Sequence, residues 1–146
     1  MTDTIDWSGL QAPTLAEFET LSEAAFTTLP EAFCALTKGV VIRIEDFPDA
    51  DVLQEMDLES EFDLLGLFRG IGLAQGGDPA LLGTGQMPNM VWLFRRPLLD
   101  YWAEHDESLG HLVTHVLVHE IGHHFGLSDD DMARIEAAAG EDDASQ

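Results

Sequence analysis

The chain has 146 residues, room for one domain with a modest core. It carries 28 acidic against 6 basic residues, a net charge of −22. That balance excludes nucleic acid and anionic membrane as expected partners, because phosphate binding needs clustered Lys and Arg. The charge reads first as solubility, with a preference for basic substrates or partners as the alternative.

Residues 1–10 hold two acids, no basic residue and none of the apolar core of a signal peptide. No stretch approaches the length that spans a bilayer. The single Cys34 cannot form an internal disulfide, and its neighbours Phe33, Ala35 and Leu36 make it a small buried residue. These features together predict a cytoplasmic protein.

Residues 1–146 read as one domain, with residues 1–13 as a poorly ordered lead-in. Thr14 and Glu17 have the spacing of a capping box. Leu15, Phe18, Leu21, Ala25, Phe26 and Leu29 then recur at helical spacing. Pro30 ends that helix and starts a short second one through Leu36, which Lys38 and Gly39 stop. Residues 40–44 are β-branched and bounded by turn residues, so they predict a strand. Residues 49–61 are acidic and weakly helical. Residues 64–71 suggest a second strand interrupted by glycines. Residues 72–88 contain Gly-Gly-Asp-Pro and Gly-Thr-Gly and read as loop. Residues 89–95 predict a third strand, exposed enough to pair with an extended peptide and stopped by Pro97. Residues 97–105 form a short helix. Residues 108–124 give the strongest helical pattern, with Leu112, His115, Val116, His119 and His123 on one broad face and Val113, Leu117 and Ile121 beside it. Residues 140–146 are an acidic, frayed tail.

That last strong helix carries the functional signal. Residues 119–129 read His-Glu-Ile-Gly-His-His-Phe-Gly-Leu-Ser-Asp. Two imidazoles four residues apart lie one above the other on a helix, so His119 and His123 can reach one metal ion. Glu120 is placed to take the proton of a metal-bound water. Shuffled chains of this composition would show HExxH about once in fifty trials and the full HExxHxxGxxD about once in five thousand. A catalytic zinc site needs three protein ligands and an open position. Gly126 can take the left-handed conformation that reverses the chain, bringing Asp129 in as the third ligand. Asp130 and Asp131 are the alternatives. Gly126 also suits a plain C-cap, and Ser128 or Asp129 a plain N-cap of a helix over residues 129–139.

His111, His115, His119 and His123 form a ladder at i,i+4 spacing. His115 either orients a ligand or is a polar residue on a helix flank, and the flank reading is favoured. His124 points to a different side and reads as surface or packing. Tyr101 is either an oxyanion donor or core, with core favoured. Trp92 and Trp102 read as core.

The chain resembles the mini-zincins, small bacterial zincin-like metallopeptidases. The resemblance runs from about Leu29 to Met132 and rests on Leu29-Pro30, residues 45–48, residues 64–67, residues 91–97 and residues 119–131. It implies an α+β minimal zincin fold, a small mixed β-sheet packed on an active-site helix with additional helices. It implies one zinc ion on His119, His123 and Asp129, with Glu120 as general base, acting on a peptide or protein substrate. Phe68 stands where relatives often have Tyr. The rival readings are a non-catalytic module that keeps the site for metal or partner binding, and an enzyme silent until a partner completes its cleft.

Overall fold

A computed structural model describes residues 6–70 and 89–144, with backbone alone for residue 36 and residues 140–144. A 3-10 turn, Trp7–Gly9, is capped by Asp6. Helix α1 spans Leu15–Thr27. Thr14 opens it as a capping box: its hydroxyl accepts from the Glu17 N–H at 3.1 Å, and the Glu17 carboxylate accepts from the Thr14 N–H at 2.9 Å. Helix α2, Glu31–Leu36, follows with Pro30 at its N-cap. Strand β1 is Val41–Glu45, helix α3 Ala50–Glu55 and strand β2 Gly66–Arg69, with a 3-10 turn at Glu61–Asp63 between the last two. The loop expected over residues 72–88 lies outside the described residues. Strand β3, Met90–Phe94, then leads to α4, Arg95–Glu104, α5, Leu109–His124, and α6, Asp129–Ala144.

Three boundaries depart from the sequence reading. Helix α3 ends early, because Asp57 takes a left-handed φ of 56° soon after it. Pro97 does not stop β3. It is the third residue of α4, in the first turn, where its missing N–H would have no intrahelical partner anyway. Helix α6 runs to Ala144, beyond residue 139.

The sheet order is β1-β3-β2. Strand β1 runs parallel to β3, with Val41 opposite Met90 and Glu45 opposite Phe94. Strand β2 runs antiparallel to it, with Gly66 opposite Leu93. The expectation that residues 89–95 offer an exposed strand to a peptide is therefore corrected: β3 is the central strand, paired on both sides. Its composition explains this. Met90, Val91, Leu93 and Phe94 are all buried, so both faces are covered, as suits a central position. In β1 half-buried Ile42 and Ile44 alternate with exposed Val41, Arg43 and Glu45, the period-2 pattern of a strand covered on one face.

Helix α1 lies against β1 and α5, and α5 lies against β2 and β3. Phe18, Leu93, Leu98, Leu112, Leu117 and Ile121 meet there in one fully buried cluster. Two hydroxyls inside it are satisfied: Ser22 donates to the Phe18 carbonyl at 2.7 Å and Thr37 to the Phe33 carbonyl at 2.9 Å. Cys34 is half-buried, and burial pushes its thiol pKa up. The architecture is α+β, a small mixed sheet on a central helix. Among the described residues no helix is long and apolar enough to cross a membrane.

Candidate metal centre

Helix α5 places the motif. Ser108 caps its start by accepting from the His111 N–H at 3.1 Å. Its end is a Schellman motif. The Leu127 N–H reaches the Gly122 carbonyl at 2.9 Å, and the Gly126 N–H reaches the His123 carbonyl at 3.1 Å. Gly126 has φ 80°, the left-handed turn expected of it. Leu112, Val113, Val116, Leu117, Val118 and Ile121 are buried, so the histidines line the rim of the helix rather than its core face.

Glu120 lies where α5 meets β2. It is half-buried, and burial raises its carboxyl pKa, with His123 pulling the other way. Gly66 makes this approach possible. A Cβ at position 66 would lie 2.9 Å from Val116 Cγ1, 3.1 Å from the Trp92 carbonyl oxygen and 3.3 Å from Glu120 Cγ. The glycines of this strand, read from sequence as weakening it, instead admit the helix. A Cβ at Gly70 would similarly meet His124 Nε2 at 2.5 Å. His124 packs on Phe68, ring centroids 4.1 Å apart, and burial lowers its pKa. It is a packing residue, as read.

Helix α6 begins with a reciprocal cap. Ser128 accepts from the Asp131 N–H at 3.0 Å, and the Asp131 carboxylate accepts from the Ser128 N–H at 3.2 Å. These bonds, with a 2.5 Å pair to Arg134, hold the Asp131 carboxyl below its ordinary range. Asp131 thus has a structural task, and Ser128 is the N-cap. Asp129 sits exposed in the first turn, with Asp130 beside it.

The approach of α6 to α5 depends on another glycine. A Cβ at Gly122 would meet Met132 Sδ at 2.7 Å, and Met132 is fully buried there. One turn further along α6, Glu136 faces the His ladder. His115 Nδ1 lies 2.7 Å from Glu136 Oε1, and His119 Nε2 lies 3.1 Å from Glu136 Oε2. Each imidazole N–H donates to the carboxylate, which can only accept. The His115 and His119 rings lie with centroids 4.1 Å apart, tilted by 33° to each other. His115 thus lies exposed on the flank of α5, as the favoured reading has it, and pairs there with Glu136 of α6.

Among the described residues, the group of three possible ligands whose donor atoms all lie within 4.8 Å is His115, His119 and Glu136. His123 and Asp129 are not members of it. The His119 and His123 rings stand at 5.8 Å, edge to face, with Glu120 next in sequence to His119. Imidazole nitrogens and carboxylate oxygens are the ordinary donors of zinc, so the donor set on α5 and α6 fits that ion. Glu136 was missed in the sequence because its pairing with α5 depends on how two helices cross. Tyr101, half-buried, stacks on His105 at 3.7 Å and packs against the core, consistent with the core reading.

The family described as zincin-like metallopeptidase matches residues 37–139, a stretch that contains β1, β2, β3, α4, α5 and the described side chains of α6. No curated protein matches the chain.

Proposed function

Because the chain belongs to the zincin-like metallopeptidase family, we propose that it is a zinc-dependent peptidase with His119, His123 and Asp129 as metal ligands and Glu120 as general base. When bound, zinc supplies polarisation of the scissile carbonyl and an acidified water, with a pKa lowered toward about 7. The chain's own residues supply the rest. His119 and His123 present their rings from one helix, one turn apart. Gly126 turns the chain so that Asp129 follows at the start of α6. Glu120 takes the water proton and later delivers it to the leaving amine.

The observation that carries this reading is the setting of Glu120. It is half-buried beneath Gly66 and beside His123, and its carboxyl is harder to ionise than usual. A carboxyl whose pKa is raised toward the working pH is a stronger base when ionised and can still give the proton up again, which suits a group that first accepts and then returns it. The substrate is a peptide or protein. Strand β2 pairs with β3, and among the described residues its other edge is not paired. An extended peptide added to that edge would run past Gly66 and Glu120. One zinc ion per chain and a cytoplasmic setting complete the proposal.

Glu120→Gln tests it. Glutamine keeps the size but cannot accept the proton at neutral pH. In a peptide-library digest read by mass spectrometry, the variant should retain zinc and lose activity by about 10²-fold or more. Equal cleavage by both proteins would refute the role of Glu120. Cleavage by neither, with zinc still raising the melting temperature, would favour the non-catalytic metal-binding module.

A further inference from the structure

Glu136 and His115 have no part in the peptidase reading, yet their donor atoms lie within 4.8 Å of one on His119, whose Nε2 is 3.1 Å from Glu136. We propose that His115, His119 and Glu136 form a second metal-binding triad, which shares His119 with the His119–His123 pair and so holds a zinc-like ion in competition with it. The competition, though not the triad, rests on His119 being a ligand in the proposed peptidase site.

The geometry is close to what an ion needs. Two ligands about 2.05 Å from a tetrahedral ion stand about 3.3 Å apart. The His115–Glu136 and His119–Glu136 separations are 2.7 and 3.1 Å, and all three donor atoms lie within 4.8 Å of one another. Both separations fall below that tetrahedral value, and rotation about the side-chain torsions is the motion that would open them. Two nitrogens and a carboxylate with an open position match zinc. A neutral imidazole can move its proton to the other ring nitrogen, so the atoms that now donate can instead bind an ion.

The frame is rigid where it matters. His115 and His119 are fixed one turn apart on α5, whose opposite face is the core. Met132, seated against Gly122, and buried Ala139 hold α6 on either side of Glu136. Glu136 and His119 are 16% and 30% exposed, so their interaction is partly screened from water, while His115 at 48% leaves an entry path. An imidazole nitrogen engaged by one ion cannot engage a second, so occupancy of the triad through His119 Nε2 competes with use of that nitrogen beside His123.

Zinc titration against a chromophoric chelator tests this on four variants, each checked by thermal melting. His123→Ala should keep one zinc equivalent on the triad. His123→Ala with Glu136→Gln, or with His115→Gln, should bind zinc at least about tenfold more weakly, since loss of a ligand exceeds the cost of losing an outer partner. The two double variants that carry His123→Ala are independent, so the failure of one to fold leaves the other to decide. Equal affinity in His123→Ala and in both doubles that carry it would overturn the triad. Two equivalents on the wild type would overturn the sharing of His119. His115→Gln with Glu136→Gln should keep zinc on the peptidase site; loss of zinc there, with retention in His123→Ala, would sink the peptidase ligand set and leave the triad standing.

Discussion

Gly66 shows how one missing side chain can position a catalytic candidate. Its neighbours leave no space for a methyl group: Val116 Cγ1 at 2.9 Å belongs to a β-branched residue on a helix, and the Trp92 oxygen at 3.1 Å belongs to the central strand. Valine in a helix has one strongly preferred rotamer, and a ladder carbonyl cannot withdraw without breaking the sheet. Gly66→Ala should therefore push α5 from β2 at a cost of about 1–3 kcal/mol, the range for overpacking a core. Chemical denaturation measures it. An unchanged midpoint would mean that the helix has slack at this crossing, and that Glu120 is not held by the contact.

At the scale of elements, the turn from α5 to α6 sets where Asp129 and Glu136 stand. Gly126 makes it with φ 80°. Gly126→Ala should cost about 1–2 kcal/mol, the penalty for placing a Cβ in the left-handed region. Gly126→Asn should cost less, because Asn tolerates that conformation. Thermal melts of the two variants compare them, and an Ala variant as stable as the Asn variant would show that the turn can relax. This turn was legible in the sequence, as were the Thr14 capping box, the Pro30 break and the motif on α5. All are local, settled by residues within about four positions of each other. What was not legible depends on elements distant in sequence. Residues 89–95 read as an exposed strand, and only pairing with β1 and β2 shows that they are the centre. Glu136 is one acid among many in an acidic helix until Met132 and Gly122 fix the face that α6 turns to α5. Gly66 in β2 and Gly70 just beyond it carried the right information with the opposite sign, since a strand weakened by itself is the strand a helix can approach most closely.

The whole molecule is governed by its charge. With 28 acids against 6 basic residues, folding gathers like charges that the unfolded chain keeps further apart. The ion pairs Arg69–Glu55, Arg95–Asp46 and Arg134–Asp131 offset little of this. Pairs of this half-exposed kind contribute about 0–1 kcal/mol each. Salt weakens both effects, and the imbalance of charge decides the sign. Raising monovalent salt from about 0.01 M to about 0.15 M shortens the screening length from about 30 Å to about 8 Å, which quiets repulsion across the molecule more than contacts at 3 Å. The melting temperature should therefore rise with salt, and equally with sodium or choline chloride, because screening does not depend on the identity of the cation. A fall would mean that the few ion pairs outweigh the repulsion. A rise with one cation alone would point to a bound ion instead. The same field bears on the proposed substrate. If it draws in basic peptides, kcat/KM for a Lys-rich peptide should drop over this salt range while that for a neutral peptide of equal length holds steady. Parallel behaviour of the two peptides would leave the charge with solubility as its role.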